Sequence, residues 1–343
     1  MEHNLNQIQF KKPIFPVNGE LNEYLTQQAR NLAAPVAYAD LMRYQHLVPK
    51  LAKDGSPTHW NSVLYTESEM EELNTQLVDL YQLLIADGVH LDYLRVDSID
   101  FCAYGNSQPF RIKILNQIND NYDYYYIKKA DASRVYGLEL EHYLSPNKIN
   151  YLYYEQTLVE EHIIGIPGDD FMERWETQGH IHNAVRLAKE FVKFNERCFV
   201  QLLGDMRAYN WVVVVNQDFD QMQYRIRCID FDQQSYEGRH RMYLPQFYKE
   251  NLPYVLLTQN NMSIATAGQY VNEEQALLRK RYAFSEHLIK QLLGIMKRDQ
   301  ISKPEYVKML GRELTKFHSN PQFAQLTTMG DLLEENIKVR LKL

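Results

Sequence analysis

Two hydrophobic periods divide the chain. Up to about residue 95, apolar positions recur mainly at helical spacing. Met70, Leu73, Leu77, Leu80, Tyr81 and Leu84 make one stripe, Thr66 and Glu69 form a capping box before it, and Gly88 follows as a stop, which predicts a helix over Glu67–Ala86. Earlier helices are predicted over Glu20–Ala33 and Pro35–Val48, with a loop at Asp54–Asn61 that carries Gly55, Ser56 and Pro57. From Arg95 the period shortens to that of strands. Ser98–Tyr104, Phe110–Leu115 and Asp123–Lys129 are rich in aromatic and β-branched residues and read as successive strands. A helix over Asp131–Leu144, strands over Ile149–Glu155 and Gln156–Ile164, and a helix over Gly179–Val200 come next. Trp211–Val215 and Met222–Ile229 then form a hairpin about the polar turn Asn216–Gln221. The remainder is helical: Glu273–Arg298, Lys303–Phe317 behind a Ser302/Glu305 box, and Asp331–Leu343 behind a weaker Asp331/Glu334 box.

The expected class is therefore α+β. Residues 1–95 form a helical N-terminal extension, 96–166 a small antiparallel sheet, and 167–343 a mostly helical part. A net charge of −7 argues against a general binder of nucleic acid or of an anionic membrane. No apolar run approaches the roughly 18 residues of a membrane span, and Met1–Phe10 is polar with no apolar signal core. Cys102, Cys198 and Cys228 are well separated and make no CxxC, which suits a reducing compartment. A cytoplasmic protein with no nucleic-acid and no membrane partner is expected.

The candidate chemistry lies at the hairpin. Gly204-Asp205-Met206-Arg207-Ala208-Tyr209-Asn210 precedes its first strand, and Ile229-Asp230-Phe231-Asp232 ends its second. One Asp, one Asn and a second Asp then meet at the open end. Mg²⁺ takes few oxygen ligands from protein and the rest from phosphate and water, so this is a Mg²⁺–phosphate site in outline.

This order of elements resembles the protein-kinase-like superfamily, nearest its aminoglycoside and choline kinase-type phosphotransferases. There the loop commonly reads His-Gly-Asp-x-x-x-x-Asn; here Leu203 replaces the His. The resemblance implies a bilobal kinase-like fold, with a sheet-built N-lobe and a helical C-lobe, and a phosphotransferase that uses ATP and Mg²⁺ on an acceptor hydroxyl. It makes Asp205 the base and Asn210 and Asp230 the metal ligands. Arg207 stands where protein kinases usually place a lysine facing the γ-phosphate. Lys128, ending Tyr125-Tyr126-Ile127-Lys128-Lys129, would contact the α- and β-phosphates, in preference to Lys129 on the other face. Glu139 or Glu141 would steady it, with Glu139 preferred. Gly105 and Ser107 lie in the loop that would cover the phosphates, though it holds one glycine where kinases have three. Backbone groups at Glu161 and Ile163 would meet the adenine.

The acidic balance favours a cationic or neutral small-molecule acceptor over a nucleic acid, and a small molecule is expected ahead of a protein as the acceptor. A kinase-fold binding or scaffold protein with weak or no catalysis is the alternative, since the glycine-poor loop favours it. Nucleotidyl transfer from the same fold is a third reading, separable by product mass. His180 and His182 are two residues apart, so they point to different sides of a helix and make no metal pair.

Overall fold

The computed structural model describes residues 12–52, 54–85, 88–178, 183–218 and 221–343. The chain divides into two compact units, Met1–Ala132 with Ile149–His162, and Ser133–Lys148 with Ile163–Leu343. His180 and His182 lie outside the described residues.

In the first unit, helix α1 (Gly19–Gln27) starts where the Asn18 side chain accepts the Leu21 N–H at 2.8 Å. A single turn, α2 (Tyr38–Leu41), follows. Next come the hairpin strands β1 (His46–Leu51) and β2 (Pro57–Leu64) and the helix α3 (Glu67–Ile85). The capping box at the head of α3 is present: Thr66 N–H donates to Glu69 at 3.1 Å, and Glu69 N–H to Thr66 Oγ1 at 3.3 Å. Gly88, at φ +79°, returns its N–H to Gln82 O behind it. Strands β3 (Leu94–Phe101), β4 (Phe110–Asn116), β5 (Tyr122–Lys129), β6 (Tyr151–Tyr154) and β7 (Thr157–Glu161) complete an antiparallel sheet. Among the described residues it has seven strands in the order β1-β2-β3-β4-β5-β7-β6.

The apolar stripe of α3 belongs to one buried cluster with a face of this sheet. Leu73, Leu77, Leu80 and Leu84 share that cluster with Ile99, Phe101, Phe110, Ile112, Tyr125 and Ile127. Tyr125 fixes the contact further, since its hydroxyl donates to Leu77 O at 2.8 Å. Strand alternation supplies the apolar set: odd positions of β5 face the core and even positions face away.

Part of the helical extension expected over residues 1–95 is corrected here. The helix predicted over Pro35–Val48 shrinks to the single turn of α2, and His46 onward is strand. The β1–β2 hairpin turns through Gly55 at φ +83°, and β2 pairs with β3 through Asn61 and Ser62. The open edge of β3 supplies the pairing that local propensity does not reveal. Pro49 is tolerated in β1 because that strand is the edge of the sheet. Residues 46–64 thus extend the sheet that the later strands build, and do not form a separate body.

The second unit starts with helix α4 (Ala132–Leu144), which belongs to it from Ser133. Strand β8 (Ile166–Pro167), helices α5 (Gly168–Gln178) and α6 (Ala184–Gln201), and the hairpin β9 (Trp211–Asp218) and β10 (Gln221–Cys228) follow. These strands form a sheet in the order β10-β9-β8. Helices α7 (Leu252–Asn261), α8 (Ile264–Phe284), α9 (Glu286–Met296), α10 (Pro304–His318) and α11 (Met329–Leu341) complete it. The single helix expected over Glu273–Arg298 is broken at Ser285, which ends α8 and caps α9. Ser302 does not form the expected box: it is buried and donates to Tyr236 O at 2.5 Å. The last helix is capped by Thr328, whose Oγ1 accepts the Asp331 N–H at 3.1 Å.

An aromatic knot of Phe191, Phe194, Trp211 and Tyr254 ties α6, β9 and α7 together, with Trp211 4.8 Å from the Tyr254 ring. Gly168 is required beside it, because a Cβ there would lie 2.5 Å from the Trp211 ring. The architecture is α+β, with an antiparallel sheet on the N-terminal side and a mostly helical remainder. No described helix is long and apolar enough to cross a membrane.

Candidate functional site

Helix α6 stops at Leu202, which turns into the left-handed region at φ +49°. Leu203, in the position of the expected His, is buried and donates its N–H to Cys198 O. Gly204 N–H goes to Gln233 O at 3.2 Å, which lays this loop along the segment after Asp230. A Cβ on Gly204 would sit 3.1 Å from that same carbonyl.

Asp205 is held at φ +55°, a conformation that Asp adopts more readily than most residues but still at a cost. Its main chain is fastened on both sides. The N–H donates to Tyr248 Oη at 2.9 Å, and the C=O accepts the Asn210 side-chain amide at 2.7 Å. The carboxylate accepts Arg207 Nε at 2.8 Å, and Arg207 also pairs with Glu250 at 2.9 Å. Burial pushes the Asp205 carboxyl above its ordinary value, against the opposing hydrogen bond and charge of Arg207. Glu237 is raised as well, by burial first and then by the charge of Asp205.

The hairpin brings the second Asp to this loop. Trp211 pairs with Cys228 at the open end, and Ile229 N–H then donates to Asn210 O at 3.1 Å. Asn210 and Asp230 therefore stand just beyond the two paired ends. Phe231 points inward and is fully buried, within 3.0 Å of where a Cβ on Gly137 would lie. Asp232 N–H donates to Asp230 Oδ1 at 3.0 Å.

Arg134, in the first turn of α4, was not anticipated. Its Nη1 donates to Asp230 Oδ1 at 2.7 Å and to Asp232 Oδ1 at 2.8 Å, and its Nη2 to Ile229 O at 3.2 Å. The side chain is 2% exposed. Ser133 donates to Gln234 O at 2.6 Å, so the start of α4 is sewn to the 229–234 segment. No sequence signal marks this pairing, because it joins positions 96 residues apart.

The oxygen donors suit Mg²⁺. The Asn210 amide spends its NH₂ on Asp205 O, which turns Oδ1 the other way, and the Asp230 carboxylate is one-third exposed. Among the described residues there is no cluster of three or more His, Cys, Asp or Glu that could hold a metal ion. Two protein oxygens with phosphate and water are nonetheless the usual complement for Mg²⁺.

The other expected residues lie mostly in the first unit. Lys128 is buried and its ammonium pairs with Glu160 of β7 at 2.8 Å, over the Tyr126 ring. Glu160 is missed by sequence reasoning. Lys128 stands opposite Leu158, so Glu160 is its diagonal neighbour, and only the strand register reveals that. Lys129 donates to Gln108 Oε1 at 2.6 Å, on the other face from Lys128 as alternation requires. Ser107 is buried, and its C=O accepts Lys129 N–H at 3.1 Å. Gly105 packs against Pro109, 3.1 Å from where its Cβ would be. Glu161 spends its N–H on Asn150 O and its carboxylate on Asn150 N–H and Nδ2.

Glu139, Glu141 and Ile163 fall in the second unit, all three buried. The Glu141 carboxyl is raised by burial, and it accepts Gln201 Nε2 at 3.3 Å.

No protein-family model matches this chain, and no curated protein matches it.

Proposed function

We propose that this chain is an ATP- and Mg²⁺-dependent phosphotransferase of the protein-kinase-like type, acting on a hydroxyl of a small molecule. The observation that carries the reading is the assembly of Asp205, Asn210 and Asp230 at the open end of one hairpin. Within the elements before this loop, strands β3, β4 and β5, helix α4, strands β6 and β7, and the long helix α6 follow one another in the order that kinases use. The Asp205 carboxylate takes the proton of the acceptor hydroxyl as that oxygen bonds to the γ-phosphorus and the bond to the β-phosphate bridge oxygen breaks, releasing ADP. Arg207 fixes the carboxylate. Asn210 Oδ1 and Asp230 would hold Mg²⁺, which when bound offsets the charge of the phosphates. Asp205, Glu237 and Glu250 make the surroundings of the base acidic, which favours a cationic or neutral acceptor.

A kinase-fold binding protein is the second reading. It is favoured by Arg134 on Asp230 and by the glycine-poor loop at Gly105.

Thermal unfolding with and without ATP and Mg²⁺ decides between them, because a ligand that binds only the folded state raises its stability, by about 2.7 kcal/mol at a hundredfold excess over Kd. The wild type is expected to show a Mg²⁺-dependent rise, and Asp230→Ala to lose it. No rise at millimolar ATP in the wild type selects the binding-protein reading.

A further inference from the structure

The geometry points to Tyr38 as the residue that fixes loop 102–109, so that the N-terminal extension braces the segment read as the cover of the phosphates. This rests on that reading of the loop. The three glycines of a kinase cover let its main chain approach phosphate closely, and this loop has Gly105 alone. A loop without that freedom serves if its shape is set in advance. Gln108 stands at φ +45°, a left-handed conformation that is costly for a residue with a side chain and persists only where its surroundings enforce it. Three bonds enforce it here. Its N–H donates to Gly105 O at 3.2 Å, its C=O accepts Tyr38 Oη at 2.9 Å, and its Oε1 accepts Lys129 Nζ at 2.6 Å. Cys102 N–H closes the neck of the loop on Pro109 O at 3.0 Å, and Lys129 N–H holds Ser107 O at 3.1 Å.

Tyr38 brings the extension into this set. It begins α2, is 6% exposed, and is itself held. Its N–H donates to Thr157 Oγ1 at 2.9 Å, and its ring meets Phe110 edge-on at 5.4 Å. Burial pushes its phenol far above the ordinary value, so the hydroxyl remains a donor at any working pH. The single turn of α2 thereby delivers one hydroxyl to the carbonyl of the strained residue. A loop fixed beforehand loses less freedom when phosphate arrives, and that strengthens binding. Tyr38 acts through Gln108 and is a positioning residue.

The test is Tyr38→Phe in the full chain, which keeps the ring and the Thr157 bond and removes only the hydroxyl. Hydrogen exchange without nucleotide is read first. In the wild type the Gln108 and Lys129 amides are expected to exchange at least about tenfold more slowly than unstructured amides. In the variant the Gln108 amide should speed up by about fivefold or more, while Ile112 and Ile114 in β4 stay unchanged. Free exchange at Gln108 in the wild type overturns the inference and needs no variant to fold. An unchanged Gln108 rate in the variant overturns it too. Affinities for ADP and for adenosine, each with Mg²⁺, are read next. Tyr38→Phe is expected to bind ADP about fivefold more weakly, and adenosine, which has no phosphate, as tightly as the wild type does. An equal loss for both ligands makes the role of Tyr38 merely structural and overturns the inference. Wild type that binds neither ligand overturns the phosphotransferase reading itself. Exchange then still decides whether Tyr38 braces the loop, so the two failures are distinct.

Discussion

Asp205→Asn is expected to lower phosphoryl transfer by about a thousandfold, within the 10²–10⁴ that a positioned general base contributes, while leaving the Mg²⁺-dependent nucleotide stabilisation in place. The substitution keeps shape and reach. Asn tolerates the left-handed backbone that Asp205 adopts at φ +55°. The main-chain bonds to Tyr248 and Asn210 do not involve the altered atom, and an amide oxygen can still accept Arg207 Nε. What is lost is the capacity to take a proton. The wild type should also reveal the base through pH. Burial raises the Asp205 carboxyl, and the working form is deprotonated, so activity is present above the raised pKa and falls as pH drops through it. The fall should lie nearer neutrality than the ordinary Asp value of about 3.9. A steady-state rate profile on both proteins checks this, with thermal shift as the control. A variant with full turnover removes Asp205 from the chemistry.

Much of the fold is legible where local and tertiary signals agree. The stripe from Met70 to Leu84 with its Thr66/Glu69 box gives α3 to within a residue or two, and the Phe110–Leu115 run gives β4. The strand at His46–Leu51 is not legible. Its own pattern is weak, Pro49 interrupts it, and its reason for being extended is the edge that β3 offers through β2. The candidate site divides in the same way. Spacing places Asp205, Asn210 and Asp230, since a hairpin returns its ends to one another whatever lies between. Pairings made by register or by a distant helix are invisible. Glu160 reaches Lys128 only because β7 pairs with β5 in one register, and Arg134 reaches Asp230 only because α4 starts against the 229–234 segment. A charge in the first turn of a helix reads as solvent-facing until its partner is known. The Ser302/Glu305 box fails for the opposite reason: the local pattern is right, but Tyr236 O makes the stronger claim on the hydroxyl.

Arg197→Met should cost about 3–5 kcal/mol, the range for breaking a buried ion pair from one side, and the loss should shrink as pH falls. Arg197 is buried on α6 and serves several partners. It donates to Glu274 at 3.2 Å, to Glu190 at 3.1 Å and to Ile226 O at 3.2 Å. Met restores most of the volume, so the packing loss is small and the charge loss dominates. The acidic side chains keep their places without their main cation; Lys193 stands 3.8 Å from Glu274 and compensates little. Glu141 sets the pH dependence. Burial raises its carboxyl, and the Arg197 charge is one of the influences holding it down, so the variant raises it further. A carboxyl whose folded pKa exceeds the unfolded value of about 4.3 binds protons more readily when folded. Stability is then fully present below the unfolded value and is lost as pH rises through the folded one. The variant's deficit should be largest at pH 8 and smaller at pH 5, as read by denaturant unfolding at both. A deficit that is constant with pH assigns the loss to packing. The consequence for the site runs through Ile226, two residues before Cys228 in the strand that delivers Asp230. Arg197 anchors that strand by its carbonyl, so folded Arg197→Met should hold Asp230 less firmly and bind Mg²⁺–nucleotide more weakly, although Arg197 touches neither.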